Sequence, residues 1–185
     1  MIDRKEIETK LSALTPIHRA ATALSIARHV LPFFGARYPD QLPILQDALN
    51  KCWDLIQNDT HSLSNELLQK VQSVLPDSET DSEAGPAIPA GEAVLCALAT
   101  VSEPTTDRLF NAILSAYTAV EMAAYLKEYP TDGSVAVKQA QMEERQDKIR
   151  NSPEISKFIA LIQRLVDAAS RGEQLSSLRR AGEFE

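Results

Sequence analysis

The sequence is short of basic residues and of aromatics, and each shortage narrows what the chain can do. Its 185 residues carry 19 Lys and Arg against 26 Asp and Glu, a formal net charge of −7. Contacts to phosphate backbones need clustered Lys and Arg, so this balance argues against nucleic-acid binding. Aromatic residues make up only 5 % of the chain, so Leu, Ala, Ile and Val must fill the core. That composition favours helix over strand.

Cysteine and histidine are also scarce. Cys52 and Cys96 are the only cysteines, and each lies in an apolar helical segment, which predicts buried free thiols rather than a disulfide. The histidines are His18, His29 and His61. None follows a Glu at di-iron spacing, and no Cys or His pair has zinc-site spacing. We therefore expect no metal site and no cofactor.

Long apolar runs are missing as well. No window approaches the roughly 18 consecutive apolar residues that a membrane span requires. The segment at residues 1–8 is charged and lacks the apolar stretch of a signal peptide. The expected location is therefore the cytoplasm, with no membrane association.

Motifs for catalysis are not found either. The chain has no G-x-S-x-G elbow and no glycine-rich phosphate loop followed by Lys and Ser or Thr. Glu92 and Glu103 flank an apolar segment, which is typical of helix-end carboxylates that interact with the helix dipole. Glu121 lies within an apolar helix, and we expect an ion pair with an arginine such as Arg28. We therefore do not expect an enzyme. The alternative hypothesis is an enzyme that uses Glu121 or Glu92 in a pocket.

Capping signals and helical periodicity predict helices along almost the whole chain. Thr15-Pro16 begins a helix in which Pro32 predicts a kink or an early end near Val30. The polar stretch 134–151 is either a helix or a linker. Ser152 caps a strongly amphipathic helix at residues 153–171.

The centre of the fold is predicted from a segment that has no polar face. Residues 93–99 are apolar on every side, so a helix at about 90–101 must be covered all round. The next helix, from residue 104, carries apolar residues on both sides, including Leu114 and Leu126, and is expected to be broadly buried. The prediction is an all-α bundle of about seven or eight helices, forming a single domain over 1–185.

An acidic loop at residues 76–88 precedes the central helix. It holds four carboxylates and no basic residue: Asp77, Glu79, Asp81 and Glu83. Such a segment is expected to be exposed. It is either a solvated connection between helices or an anionic surface that docks on a basic partner and accelerates association.

Four segments resemble a family of bacterial helical proteins in order and spacing. The first two are an alanine-rich helix that ends in Leu-Pro, at 18–32, and a helix with a Trp near its end, at 45–53. The other two have the patterns Glu-Ala-Val-x-x-Ala-Leu, at 92–98, and Ala-x-x-x-Ala-Tyr-x-Ala-Val, at 112–120. This order is similar to that of YjaG-like domain-of-unknown-function proteins and of the helical immunity proteins of polymorphic toxin systems. The resemblance covers 17–129, and it implies a cytoplasmic all-helical protein that neutralises a toxin by binding it. It implies no catalytic residue.

Two functional hypotheses follow. The first is an immunity-type protein that occludes a cognate, basic toxin or effector, with Asp77, Glu79, Asp81 and Glu83 as the contact residues. The second is a housekeeping helical scaffold or homodimer without a toxin partner. A toxin gene beside this one would favour the first hypothesis over the second.

Overall fold

Four of the described helices begin at a hydroxyl side chain. Thr15, Ser64, Thr105 and Ser152 each accept a hydrogen bond from the backbone N–H three residues further on, which satisfies a donor that a helix start leaves open. The computed structural model describes residues 4–60, 62–77, 81, 84–130 and 139–182. Within these ranges the chain forms nine α-helices and no strand: α1 Arg4–Ser12, α2 Pro16–Arg37, α3 Leu42–Gln57, α4 Asn65–Gln72, α5 Ala87–Ser102, α6 Thr106–Glu128, α7 Gln139–Arg150, α8 Pro153–Ser170 and α9 Leu175–Ala181. The all-α prediction is confirmed.

The helix that periodicity did not predict is α1. Its segment is polar apart from a few residues, but Leu11 is buried in the core. Arg19 of α2 fixes the end of α1, because its guanidinium donates to the carbonyls of Leu11 at 3.2 Å and Ser12 at 2.8 Å. A third bond reaches the carbonyl of Pro104 at 3.0 Å. Tertiary contacts, rather than an amphipathic pattern, therefore hold α1 in place.

Pro32 does not end α2. The helix continues to Arg37, so of the predicted kink or early end near Val30 the early end is wrong, and the kink stays a prediction. Proline inside a helix costs about 3 kcal/mol, because it removes one backbone hydrogen bond and crowds the preceding turn. Burial of Leu31 and Phe34 on either side of it offsets that cost. Packing has overridden the local signal.

The predicted central helix is α5. It runs from Ala87 to Ser102 and packs between α2 and α6. Small residues on its buried faces let the neighbouring helices approach closely, while Leu95 and Cys96 are half-buried. The fully buried apolar members are Ala90, Ala93, Val94, Ala97, Leu98 and Val101.

The stretch that was either helix or linker is helical where it is described. The helix α7 covers Gln139–Arg150, and residues 131–138 lie outside the described ranges. The predicted amphipathic helix at 153–171 is confirmed as α8, Pro153–Ser170. Gly172 follows it with φ +71°, a left-handed conformation that favours glycine at a helix end.

The short helix α9 is fixed to the middle of α2. The buried Ser25 hydroxyl lies 2.7 Å from the carbonyl oxygen of Leu178 and 2.9 Å from that of Ala21, so its single O–H is shared between these two acceptors. At the end of α9, Gly182 lies so close to α2 that a Cβ there would be 2.5 Å from the Ser25 carbonyl oxygen. The backbones of α2 and α9 therefore touch directly, which only glycine allows.

Candidate functional site

The predicted acidic loop is held against the end of α2 through Asp81. The Tyr38 hydroxyl donates to one carboxylate oxygen of Asp81, and Arg37 lies 4.0 Å from the other. Burial and this bond raise the pKa of Tyr38. Asp81 is therefore already engaged inside the chain. Asp77 lies at the surface. Glu79 and Glu83 lie outside the described residues, so the four-residue contact surface stays a prediction.

An apolar line on the outside of α6 is a feature that sequence reasoning missed. Leu114, Met122 and Leu126 are 52 %, 36 % and 39 % exposed, and they are the large hydrophobic side chains classed as exposed within the described ranges. With Thr118 they follow the i, i+4 spacing that places side chains on one helix face. We call Leu114, Thr118, Met122 and Leu126 the α6 stripe. The expectation that this helix is broadly buried is wrong along the stripe, because the neighbouring helices pack on the opposite side of α6.

The same helix satisfies a length and composition test for crossing a membrane. Among the described residues, the helix Thr106–Glu128 is long and apolar enough to cross a membrane. Of its most apolar 18-residue stretch, 39 % is buried inside the fold. Helix α6 packs against α5, α2 and α8. A core helix of a helical bundle passes this test as well, so the result is weak evidence for a membrane span.

Of the three carboxylates considered for acid–base chemistry, two are paired with arginines and one is exposed. Glu121 pairs with Arg150 of α7 at 3.6 Å, so the expectation of an ion pair is right in kind, but Arg28 is the wrong partner. Arg28 could not have been excluded from the sequence, because periodicity does not say which helices are neighbours. Glu103 accepts a hydrogen bond from Arg108 Nε at 3.0 Å, and Glu92 is exposed.

The two cysteines are free thiols, as expected, and neither is activated. Burial raises the pKa of Cys52 to about 12 and raises that of Cys96 as well. The nucleophilic form of a thiol is the thiolate, so these positions are chemically quiet near neutral pH.

The two described histidines have structural surroundings. His18 Nε2 donates to the carbonyl of Glu173 at 3.2 Å, and His18 Nδ1 lies 2.7 Å from the hydroxyl of Thr15. Burial lowers the pKa of His29, which stacks on Phe158 at 5.9 Å, and the nearby positive charge of Arg164 lowers it further. His61 is outside the described residues, and in the part of the chain that is described no three His, Cys, Asp or Glu side chains are grouped as metal ligands.

Arg28 lines a pocket between α2 and α3. Arg28 Nη1 donates to Asn50 Oδ1 at 3.3 Å, and Arg179 Nη2 donates to the same oxygen at 2.9 Å. The pocket measures about 630 Å³. It is lined by Arg28, Leu31, Pro32, Leu42, Gln46, Leu49 and Asn50. We call it the Asn50 pocket, and no sequence motif marks it; Asn50 also ties the pocket to Arg179 of α9, 129 residues further along the chain.

A solved structure shows the same fold. A crystal structure of a DUF416 family protein from Shewanella baltica OS155 matches with a TM-score of 0.70 at 14 % sequence identity, over 95 % of this chain and 92 % of that one. No curated protein matches the chain. At this identity the likeness shows a shared fold alone.

The family is established by the sequence itself. The pattern of the DUF416 family, described as a protein of unknown function, matches residues 6–181, nearly the whole chain. The expected membership of a domain-of-unknown-function family is thereby confirmed, while the YjaG-like and immunity assignments stay predictions. The chain belongs to the DUF416 family.

Proposed function

We propose that this protein acts by binding another protein on the α6 stripe, as an immunity-type inhibitor of a cytoplasmic toxin or effector. The observation that carries the proposal is the placement of the exposed large hydrophobic side chains. Within the described ranges all three lie on one face of one helix. Single exposed leucines are ordinary on protein surfaces, but an aligned apolar strip is typical of an interaction site.

The stripe has the dimensions of an interface centre. From residue 114 to residue 126 a helix advances about 18 Å, which suits the apolar core of an interface surrounded by polar residues. Full burial of a Leu or Met side chain contributes about 1.5–3 kcal/mol, and these three are already half covered. Their combined contribution to binding is therefore about 2–4 kcal/mol.

Charge supports the choice of a basic partner. The net charge of −7 speeds association with a positively charged protein and disfavours acidic ones. Asp77, Glu79, Asp81 and Glu83 are proposed as peripheral contacts, and Asp77 is the first to test because its side chain is exposed.

The surroundings of the reactive groups support binding over catalysis. The thiols have raised pKa values, and Glu121 and Glu103 are paired with arginines. None of these groups is arranged as a nucleophile with a base beside it.

The test is capture from a lysate of the source bacterium, followed by binding of the purified partner. The bait variants are wild type, the triple change Leu114→Ser, Met122→Ser and Leu126→Ser, and a control that changes the exposed Ala160 and Gln163 of α8 to Ser. We expect wild type and control to bind one partner at 1:1 and to relieve its toxicity on co-expression. The triple variant should bind at least tenfold more weakly. Equal binding by all three, or a partner with no toxic activity, would contradict the proposal.

A homodimeric scaffold is the second candidate, and the same spacing favours it. If two α6 helices pack antiparallel, Leu114 of one copy lies opposite Leu126 of the other, and Thr118 lies opposite Met122, so the stripe complements itself. Light scattering at micromolar concentration decides between the candidates. A species of twice the 20.4 kDa chain mass that Leu126→Asp converts to monomer would favour the scaffold.

A further inference from the structure

A second pocket lies where α8 and α9 pack against α2. It measures about 860 Å³, more than the Asn50 pocket, and falls in the size range of small-molecule sites. We call it the α8 pocket, because α8 supplies the largest share of its lining. It shares no residue with the α6 stripe or with the Asn50 pocket. The lining residues that matter for its chemistry are His29, Phe33, Lys157, Phe158, Arg164 and Arg180.

The apolar side of the α8 pocket is aromatic. His29 and Phe33 are one turn apart on the same face of α2, and both side chains are half-buried. The buried ring of Phe158 stacks on His29 with 5.9 Å between the centroids, which fixes the imidazole in place. Burial and the positive charge of Arg164 lower the pKa of His29, so its ring is uncharged at neutral pH. The pocket therefore offers two partly open ring surfaces to a ligand.

Three cations line the same pocket without a carboxylate partner. Among the residues that the structure describes, no carboxylate oxygen lies within 4 Å of the side-chain nitrogens of Lys157, Arg164 or Arg180. Lys157 and Arg164 are seven residues apart and lie on one face of α8, and Arg180 comes from α9. Arg180 uses Nε in a 3.4 Å hydrogen bond to the carbonyl of Ser176, which leaves its other donors for a ligand.

The carboxylates of the lining do not offset these cations. Glu154 pairs with Lys127 at 2.6 Å, and Glu173 pairs with Arg171 at 2.7 Å. Asp167 is exposed and contributes one negative charge against the three cations. The α8 pocket therefore carries a surplus of positive charge in a chain whose net charge is −7.

We propose that the α8 pocket binds an aromatic carboxylate, with its ring against His29 and Phe33 and its carboxylate at Arg164 and Arg180. The planar donor pairs of a guanidinium match the two oxygens of a carboxylate. Aromatic rings pack favourably on one another, and the charge of Arg164 is close enough to act on the imidazole of His29. Ring and carboxylate are thus recognised side by side. The site is independent of any protein partner on the α6 stripe.

The experiment titrates the intact protein at constant ionic strength with sodium 1-naphthoate, using calorimetry and the melting temperature as readouts. We expect 1:1 saturable binding and a rise in Tm. The neutral 1-naphthalenemethanol has the same rings and should bind at least tenfold more weakly, since it lacks the charge. Sodium acetate lacks the rings and should show no saturable heat up to about 10 mM. Naphthoate without saturable binding, or equal binding of either comparison compound, would overturn the proposal.

Arg164→Gln and Arg180→Gln test the position of the carboxylate. Both side chains are exposed or half-buried, so the fold should persist, and each change should weaken naphthoate about five- to tenfold. Lys70→Gln is the control, because it removes one exposed charge from α4, outside the pocket. Leu126→Ser is a second control, for binding on the α6 stripe. Both controls should stay within about twofold of wild type. Equal affinity in the arginine variants and the controls would overturn the assignment.

Phe33→Leu tests the aromatic part of the proposal, because it keeps an apolar side chain and removes the ring. It should weaken naphthoate about two- to tenfold, the effect of losing an aromatic pair. The affinity for sodium octanoate, an acid without a ring, should stay within about twofold of its wild-type value. Octanoate that binds wild type as tightly as naphthoate does, or an equal loss for both acids in Phe33→Leu, would overturn the preference for an aromatic ligand.

Discussion

Replacing Gly182 by alanine is expected to detach α9 from α2. The added Cβ would lie 2.5 Å from the carbonyl oxygen of Ser25, 2.7 Å from its Cα and 2.9 Å from its carbonyl carbon. All three are backbone atoms in the buried middle of α2, so no side-chain rotation relieves the clash. The seven-residue α9 has to move instead.

The cost follows from what α9 contributes when it is docked. Burial of the Leu178 side chain stabilises by about 1.5–3 kcal/mol, and the hydrogen bond from Ser25 to the Leu178 carbonyl adds about 1 kcal/mol. A seven-residue helix does not persist alone in water, so detachment loses both contributions together. The free energy of unfolding should fall by about 2–4 kcal/mol, and detachment itself limits the loss to that value.

Urea denaturation measures the change, and hydrogen exchange of the α9 amides locates it. Gly172→Ala is the matched control. Gly172 has a left-handed φ, whereas φ of Gly182 is −85°, and a Cβ added at Gly172 would meet no atom within 4 Å, so this change should cost about 1 kcal/mol of backbone strain and leave α9 protected. If the free energy of unfolding of Gly182→Ala stays within about 0.5 kcal/mol of wild type and the α9 amides remain protected, α9 is not detached and the prediction is wrong.

Two further predictions concern buried contacts elsewhere. Arg19→Lys cannot reproduce the three bonds to the carbonyls of Leu11, Ser12 and Pro104, and it should lower the free energy of unfolding by about 1–3 kcal/mol in urea denaturation; an unchanged midpoint would contradict this. Cys52 should not react with Ellman's reagent in the native protein at pH 8, since a pKa of about 12 leaves on the order of 10⁻⁴ of it as thiolate. The pKa of Cys52 in the folded protein lies above the ordinary value of 9.0, so its contribution to the free energy of unfolding is fully present below pH 9. That contribution is lost between pH 9 and 12, by at most about 1.4 kcal/mol per pH unit. Two thiols that react rapidly before denaturant is added would contradict the Cys52 prediction.

Local signals in the sequence predicted the features that depend on neighbouring residues. Thr15 and Ser152 were identified as caps because an N-cap hydroxyl acts within four residues, and both accept the expected bonds. The apolar segment at about 90–101 was identified as central because a helix without a polar face has to be covered. These arguments need no knowledge of which helices meet.

Features that depend on helix pairing could not be predicted. The continuation of α2 through Pro32 and the exposure of the α6 stripe both depend on which face is covered, and α6 is apolar on more than one side. The Asn50 pocket joins residues that have no spacing in common. The sequence identifies the charges of the proposed acidic contacts. It does not reveal the hydrogen bond from Tyr38 to Asp81, which forms only in the folded chain.

The docking of α9 on α2 also has a consequence during synthesis. Ser25 and its partner Leu178 are separated by 153 residues. At about 5–20 residues per second, the ribosome needs roughly 8–30 s to make that intervening chain. Throughout this interval the face of α2 that α9 covers is open to other contacts, so the middle of α2 is among the last parts of the core to be covered.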